Sequence, residues 1–485
     1  MKSAIHPSFK FSFVLLILII VVPSLRAQVN EQDSLVLISL YNETDGMNWT
    51  NQTNWLVGPV SSWQGISVQD GRVTEVRLAN NQLKGAIPGE IGNLAGLKVL
   101  NIALNQLTGV IPETFGNLTS LEELTLSKNE LNGQVPPELG LLSSLKKLIL
   151  FDNQLTGPLP DLSFLQNLKE LVMGRNDFSG PFPEWILDMP NLTFVGFRSA
   201  GITGNLPSNL LQALPNLDHL RMDNNLLEGD ISVWYHGATP MTTLDIYNNR
   251  FYGVMQDSVV DVDISTFSIG RNLIEGVPDF SGATEMKSYF GIDQNRIGFH
   301  ELEKALNVST FSPFSLLLSP QNSLLDEETI FIKEGESVTI SSGSMSEQDA
   351  YQWFKDGAEI PGATGRVYVV ESYVAGDAGI YHCEITNPQF EFALERSSVI
   401  LQTDGTTSIS GLSEFNVAVF PNPVANKLVI ETDGFQGVSI LDLNGRQLMK
   451  SHRSVLDVSM LAGGSYVLLI DTGNGMAIRQ IAKFQ

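Results

Sequence analysis

The side chains best suited to chemistry in this sequence are arginines and aromatic residues that recur through its central part. A guanidinium group binds carboxylates and other anions through directional hydrogen bonds, and an aromatic ring offers an apolar face beside it. Such residues occupy comparable positions in consecutive units of the chain: Phe151, Arg175, Phe194, Arg198, His219, Arg221, Tyr247 and Arg271. This chemistry is recognition rather than bond making. The pattern therefore predicts a surface that binds an anionic or polar ligand, such as an acidic glycan or an acidic patch of a protein.

The same arginines have a second explanation. Asp152, Asp218, Asp223 and Asp245 lie close to them along the chain. Exposed ion pairs of this kind form a solvated ladder of charges that contributes little to stability and binds nothing. The sequence leaves both interpretations open.

Motifs that carry catalysis or hold cofactors are absent from the sequence. It has no HExxH, GxSxG, Walker-type or GxGxxG pattern, and its histidines are scattered singly. Asp257, Asp261 and Asp263 form a small acidic cluster that is more typical of a solvated loop than of a calcium site. We therefore predict a protein that is not an enzyme and that uses no cofactor and no metal.

The composition limits the classes of partner. The 485 residues suffice for about three domains, and 43% of them are hydrophobic, which is enough for large cores. Acidic residues number 53 against 29 basic ones, so the net charge is −24, which argues against nucleic acid and anionic membranes as partners. The one cysteine excludes an internal disulfide framework and a cysteine-based zinc or iron–sulfur site.

Regularly spaced asparagines mark the repeat that must position the arginines. Apolar residues alternate before each asparagine, as Leu121, Leu124 and Leu126 do, which indicates a short strand with one buried face. The marking residues lie about 24 positions apart, with Ala200 in the place of one asparagine: Asn81, Asn105, Asn129, Asn153, Asn176, Asn225, Asn249, Asn272 and Asn295. Stacked asparagine side chains can hydrogen-bond turn backbone that would otherwise be buried unpaired. We therefore expect a local irregularity at Ala200, where that bond is lost.

With the pattern LxxLxLxxNxLxGxIP, residues 71–300 resemble the plant-type subclass of leucine-rich repeats, found in plant receptor ectodomains and in secreted bacterial proteins. The resemblance implies a solenoid of about ten repeats with short parallel strands and 3-10 turns, whose concave face presents the arginines and aromatic residues. Residues 28–70, which include Trp49, Trp55 and Trp63, resemble the helical N-terminal cap of bacterial members. Residues 301–320 are expected to form a C-terminal cap and linker.

Residues 321–402 resemble an immunoglobulin-like β-sandwich. The evidence is Trp353 in a strand-like segment and the later DxGxYxC pattern that ends at Cys383. The first cysteine of the usual pair is missing, and Ser341 or Ser342 stands near its place. We therefore predict that Cys383 is a free, buried thiol packed against Trp353 rather than a nucleophile.

Both ends of the chain carry features of export. Residues 1–27, with Lys2 and Lys10 before an apolar run, predict a signal peptide, and no later run is long and apolar enough to span a membrane. After a linker at 403–414, residues 415–485 contain FPNP, DLNGR and GxY and resemble the type A C-terminal sorting domain of the type IX secretion system of Bacteroidota. The resemblance implies recognition by the type IX machinery and a protein that is released or attached to the outer cell surface.

The predicted fold is mixed and mostly β: a leucine-rich repeat solenoid, an immunoglobulin-like sandwich and a small β-sandwich sorting domain. The predicted function is non-catalytic binding or adhesion outside the cell, with a protein or glycan ligand on the concave face. Two alternatives remain, a receptor-like ectodomain in signalling and an unrecognised secreted hydrolase.

Overall fold

The computed structural model describes most of the chain from residue 29 onward. The described residues are 29–233, 241–257, 264–279, 289–306, 316–404, 417–420, 424, 427–432, 434–442, 446–472 and 476–483. The predicted signal peptide, Asp261, Asp263 and residues 405–414 of the predicted linker lie outside them. The described chain divides into two compact units. The first runs to Glu328 and adds Ile340–Tyr368 and Tyr381–Ser398; the second holds Thr329–Thr339, Val369–Ile380 and the residues from Val399 onward.

A twelve-stranded sheet, here called the inner sheet, runs through the first unit. Its first two strands pair antiparallel, and every later neighbour pairs parallel. In order, the strands are Ile66–Gln69, Arg72–Arg77, Val99–Asn101, Glu123–Thr125, Lys147–Ile149, Glu170–Val172, Phe194–Gly196, His219–Arg221, Met241–Asp245, Ile264–Ser268, Tyr289–Gly291 and Leu316–Leu317. The middle leucine of each short strand is buried while its flanking residues are not, as the period-2 alternation predicts.

Two further parallel sheets, here called the outer sheets, follow the asparagines. The first has five strands, at Lys84–Ala86, Gln106–Gly109, Glu130–Gly133, Gln154–Gly157 and Asp177–Phe178. The second has four, at Thr203–Asn205, Leu226–Asp230, Arg250–Val254 and Leu273–Gly276. Short helical turns of mostly 3-10 type complete the coils, at Gly89–Asn93, Glu113–Asn117, Pro137–Leu141, Glu184–Asp188, Leu210–Ala213 and Ile231–Val233. The structure thus confirms the predicted solenoid of short parallel strands and 3-10 turns.

The asparagine side chains form the predicted column. Asn272 is 2% exposed; its Oδ1 accepts from the Phe251 N–H at 3.0 Å, and its Nδ2 donates to the Ile246 and Ile269 carbonyls at 3.1 and 2.9 Å. Equivalent bonds recur at Asn129, where the Nδ2 group donates to carbonyls of its own coil and the preceding one. Each asparagine therefore joins two coils through backbone groups that have no water to bond.

The irregularity expected at Ala200 is confirmed. Where an asparagine would accept it, the Phe178 N–H instead donates to the Ala200 backbone carbonyl at 3.1 Å. The outer sheet is also interrupted here, between Asp177–Phe178 and Thr203–Asn205. The missing side chain thus divides the outer surface into two sheets without breaking the inner one.

The N-terminal cap is a helix backed by tryptophans. The helix Glu31–Glu43 is capped by Asn30, whose Oδ1 accepts from the Gln32 N–H, and short 3-10 turns follow at Gly46–Asn48 and Val60–Ser62. Three buried tryptophans pack in series, with centroids 4.8 Å apart for Trp49 and Trp55 and 4.9 Å for Trp55 and Trp63. These observations agree with the predicted helical cap.

A buried ion pair ties this helix to the inner sheet. The Arg72 guanidinium donates to both carboxylate oxygens of the fully buried Asp33, at 3.0 and 2.9 Å, and the Val73 N–H donates to the same carboxylate. The hydrogen bond to Asp33 raises the pKa of Arg72. The helix is thereby fixed to the strand Arg72–Arg77.

The repeat continues one coil beyond the ten that the sequence indicates. Gln321 takes the asparagine's place: its Oε1 accepts from the Asn295 N–H at 3.1 Å, and its Nε2 donates to the Ile292 carbonyl at 3.0 Å and to the Leu318 carbonyl. The strand Leu316–Leu317 pairs with Tyr289–Gly291 in this coil. The helix Phe299–Leu306 precedes it, where the sequence predicts a capping helix.

Antiparallel sheets follow the repeats. One has five strands, in the order Glu328–Ile332, Leu394–Thr403, Gly379–Thr386, Ala350–Lys355 and Ala358–Glu359, and a second has two, at Val338–Ser341 and Val367–Val370; a 3-10 turn lies at Ala375–Asp377. Trp353 and Cys383 face each other in neighbouring strands and are fully buried, and Cys383 is a free thiol. The immunoglobulin-like assignment stays a prediction, whereas the buried thiol is as expected.

The C-terminal residues form two antiparallel sheets around their own core. The strands are Ala418–Phe420, Lys427–Glu431 and Val455–Asp457 in one sheet, and Gln447–Ser451, Gly437–Leu441, Gly464–Asp471 and Met476–Lys483 in the other. Gly437–Leu441 and Gln447–Ser451 pair as the hairpin that Asn444-Gly445 predicts. Leu428, Ile440 and Leu468 are fully buried in this core.

Candidate functional site

The eight candidate residues occupy four positions relative to the asparagine of their coil. Three positions lie in or next to the inner strands, and the fourth is the residue directly before the asparagine. Phe194 and His219 lie six residues before it, Arg221 four, Phe151, Arg198 and Tyr247 two, and Arg175 and Arg271 one. Arg175 and Arg271 adopt positive φ, 51° and 54°, as the residue before the asparagine does in every coil from Asn80 to Gln294. The arginines therefore project from two different backbone conformations.

Four of the eight residues surround one concavity. Phe151, Phe194, Arg198 and Arg221, together with Val172 and Gly196, line a space of about 230 Å³, here called the arginine–phenylalanine pocket. Parallel register sets Val172 beside Gly196 and Gly196 beside Arg221, so that these three form one row of the pocket. The sequence analysis missed Val172 and Gly196. Their signal was the position four residues before the asparagine, the same position that Arg221 holds in the next coil.

Gly196 keeps the pocket open. A Cβ atom at this position would lie 3.0 Å from a ring carbon of Phe194 and 3.3 Å from a methyl group of Val172. Any larger side chain would therefore displace the Phe194 ring or fill the floor of the pocket.

Cation–π contacts hold two arginines beside the phenylalanines. The Arg221 guanidinium carbon lies 5.9 Å from the centroid of the Phe194 ring, and that of Arg175 lies 5.5 Å from the centroid of Phe151. The His219 ring adjoins Phe194, with centroids 5.2 Å apart. Arg175 and His219 thus contact the pocket's aromatic walls from outside its lining.

The arginines differ in how far their charge is already paired. Arg198 Nε donates to Asp223 Oδ2 at 3.0 Å, and Arg175 lies 3.6 Å from Asp152. Arg221 makes no hydrogen bond or ion pair with any residue that the structure describes, although its side chain lines the pocket. The charge-ladder interpretation therefore applies to Arg175 and Arg198 but not to Arg221.

Burial shifts the carboxylates that accompany the pocket. Desolvation raises the pKa of Asp223, which is 3% exposed, and the charge of Arg198 opposes that rise. Desolvation also raises the pKa of Asp245, and the neighbouring Asp223 charge adds to the effect. In contrast, the hydrogen bond from the Thr242 side chain lowers the pKa of Asp218.

His219 is held by its neighbours rather than free to ligate. Its Nε2 lies 3.2 Å from Asp218, and its Nδ1 lies 3.0 Å from the Thr243 hydroxyl. Both ring nitrogens therefore have partners, and the ring serves as a wall beside Phe194.

Tyr247 and Arg271 do not belong to the pocket. They lie further along the inner sheet, near Tyr289 and Asp293, whose pKa values are both raised, chiefly by burial. The Arg271 N–H donates to the Asp293 carbonyl at 2.7 Å, and its side chain is exposed. The structure therefore brings together only part of the predicted stripe.

The described residues were also compared with the requirements of metal sites and membrane spans. Within them, no group of three or more His, Cys, Asp or Glu side chains could hold a metal ion. Of the predicted acidic cluster only Asp257 is described, and its Oδ1 accepts from the Asp279 N–H at 3.2 Å. None of the helices in the described part of the chain has the length and apolar character needed to cross a bilayer.

Two family models match parts of the chain. A model described as leucine rich repeat matches residues 71–131, and a model described as secretion system C-terminal sorting domain matches residues 418–483. A comparison with curated protein sequences finds no match.

Solved structures of plant proteins share the fold of the repeats. The PEPR1–AtPEP1 complex is 25% identical with a TM-score of 0.51, over 62% of this chain and 43% of that one. The HAESA receptor kinase ectodomain of Arabidopsis, in complex with an IDA peptide hormone, is 20% identical with a TM-score of 0.39, over 62% of each chain. A plant ice-binding protein is 23% identical with a TM-score of 0.45, over 54% of this chain and 95% of that one. The chain thus spans less than half the length of the first of these structures.

The fold and these matches define the class of protein. The chain is a leucine-rich repeat protein with the fold of plant-type ectodomains. It carries a type IX C-terminal sorting domain at its end, which directs export to the cell surface or the extracellular space.

Proposed function

We propose that this exported protein is a non-catalytic binding protein whose inner sheet recognises an anionic ligand, a protein or a glycan, through the arginine–phenylalanine pocket. The sorting domain supports the location, and the ectodomain-like repeats support a binding role. One observation carries the choice of ligand charge. The Arg221 guanidinium lines an open concavity, lies against Phe194, and has no anionic partner among the described residues.

An unpaired guanidinium beside an aromatic ring is suited to capture an anion. Arginine offers five N–H donors in a fixed plane, so it binds carboxylate groups with two parallel hydrogen bonds. Arg198 uses only its Nε to reach Asp223, and its terminal nitrogens remain available at the same pocket. Two guanidinium groups from neighbouring coils therefore converge on one ligand position.

The test is binding of the purified protein to immobilised acidic glycans and acidic proteins. We expect binding that weakens as salt is added and that falls at least tenfold when Arg198 and Arg221 are both replaced by alanine. Arg250→Ala is the matched control, because Arg250 is exposed and lies on an outer strand. Equal binding by the double variant and the control variant would contradict the proposal.

The non-catalytic part of the proposal has its own test. We expect no turnover when the purified protein is offered a panel of hydrolase substrates. Activity that a single substitution abolishes would show an enzyme instead.

A further inference from the structure

We propose that the arginine–phenylalanine pocket binds one acidic sugar residue, a pyranose ring that bears a carboxylate, within a uronic acid-containing polysaccharide. This inference rests on the proposed function and narrows it from anionic ligands in general to one chemical class.

The size of the pocket selects a single ring. Its volume is about 230 Å³. Pockets for drug-sized ligands measure about 300–1,000 Å³, so this one accommodates one ring-sized unit rather than an extended segment. Because the pocket is open to one side, a polymer can enter with one residue and continue across the inner sheet in both directions.

The walls of the pocket are suited to the faces of a sugar ring. Phe151 and Phe194 contribute two phenyl rings, and Val172 contributes an aliphatic surface between their coils. The face of an aromatic ring is electron-rich. The C–H groups of a pyranose are polarised by the adjacent oxygens, so they pack favourably against such faces while the hydroxyl groups point outward to water.

The charges of the pocket are suited to a carboxylate on that ring. Arg198 is held in place by the nearly buried Asp223, which leaves its terminal nitrogens directed away from that ion pair. Arg221 comes from the next coil and is held by Phe194. One carboxylate can therefore accept hydrogen bonds from two guanidinium groups whose positions are fixed before the ligand arrives.

An acidic peptide matches these features less well. A glutamate or aspartate side chain would satisfy the arginines but has no ring to cover Phe151 and Phe194. The inner strands also pair on both sides, as Phe194–Gly196 does, so a peptide backbone finds no free strand edge to extend at this point.

Titration calorimetry with three matched probes tests the inference. The probes are a galacturonic acid trisaccharide, its methyl-esterified and therefore uncharged counterpart, and a short glutamate-rich peptide. We expect the acidic trisaccharide to bind at least tenfold more tightly than either of the others. Gly196→Ala should weaken that binding at least tenfold, because the added Cβ occupies the floor of the pocket.

Two further variants keep the test interpretable. Gly89→Ala is the glycine control, because the nearest atom to its added Cβ is 3.7 Å away. Phe151→Leu keeps an apolar side chain but removes one ring, and it should weaken binding of the acidic trisaccharide if Gly196→Ala proves poorly folded by its thermal unfolding curve.

The possible failures are distinguishable. If the peptide binds as tightly as the acidic trisaccharide, and Arg221→Ala weakens both while Gly196→Ala and Phe151→Leu weaken neither, the sugar inference is wrong and the proposed function stands. If no anionic probe shows binding that depends on Arg198 or Arg221, both proposals are wrong.

Discussion

Arg198 and Asp223 form an ion pair between adjacent coils, with Arg198 Nε donating to Asp223 Oδ2 at 3.0 Å. The two ends of the pair differ in environment, because the Asp223 side chain is 4% exposed whereas that of Arg198 is 48% exposed. The carboxylate is therefore kept charged in a buried place by an arginine that also faces the ligand pocket. Stability and binding share this contact.

Replacing Arg198 with alanine should make the protein's stability depend on pH. Burial already raises the pKa of Asp223, and loss of the arginine removes the charge that opposes the rise. A carboxyl group with a raised folded-state pKa stabilises the fold below its unfolded pKa, about 3.9, and that contribution is lost as pH rises through the folded value. We expect Arg198→Ala to lower the free energy of unfolding by about 1–3 kcal/mol at pH 7.5 and by less at pH 4.5, as measured by urea unfolding.

The matched control for this prediction is the double variant Arg198→Ala/Asp223→Asn. Its stability relative to the parent should be similar at the two pH values, because the titrating group is gone. An equal loss for Arg198→Ala at both pH values would show that Asp223 does not titrate as described.

Replacing Asn272 with alanine should destabilise the repeats. The side chain is buried and accepts from the Phe251 N–H while donating to the Ile246 and Ile269 carbonyls, so its loss leaves buried backbone groups unpaired. We expect a loss of about 3 kcal/mol in the free energy of unfolding, measured by urea titration followed by circular dichroism. Asn167→Ala is the control, because Asn167 is exposed and bonds the Ser143 carbonyl at the surface; comparable losses for the two variants would argue against the asparagine column as a stabilising element.

Cys383 should be unreactive in the folded protein. Burial raises the pKa of its thiol to about 12, so almost no thiolate exists at neutral pH, and the residue is fully buried. We expect no reaction with a disulfide reagent such as DTNB at pH 8, and one equivalent of reaction after unfolding, because Cys383 is the chain's one cysteine. Rapid labelling of the native protein would contradict the buried position.

Deleting residues 415–485 should abolish export. These residues include the match to the sorting domain at 418–483, and their own hydrophobic core supports a separately recognised unit. We expect the truncated chain to accumulate inside a host that has a type IX system, as seen by immunoblotting of cell fractions and medium. Arg221→Ala should be exported like the parent, and normal surface delivery of the truncated chain would show that another segment carries the export signal.

Much of the fold is predictable from local sequence. The spacing of the asparagines and the alternation of leucines give strand positions, because a short strand with one buried face requires a period of two. The interrupted outer sheet at Ala200 is predictable for the same reason, since one missing amide leaves the Phe178 N–H without its usual acceptor. Gln321 escaped detection because a longer side chain makes the asparagine's bonds from a different spacing.

The sequence by itself determined the stacking and therefore which side chains face the inner surface. Only the tertiary structure decided which of them act together. Arg221 lacks an anionic partner while Arg198 has Asp223, and Gly196 opens a space whose importance no single residue type reveals. The reason is physical: a strand's alternation is a local property, whereas a pocket depends on the side chains of several coils and on the charges that those coils place beside one another.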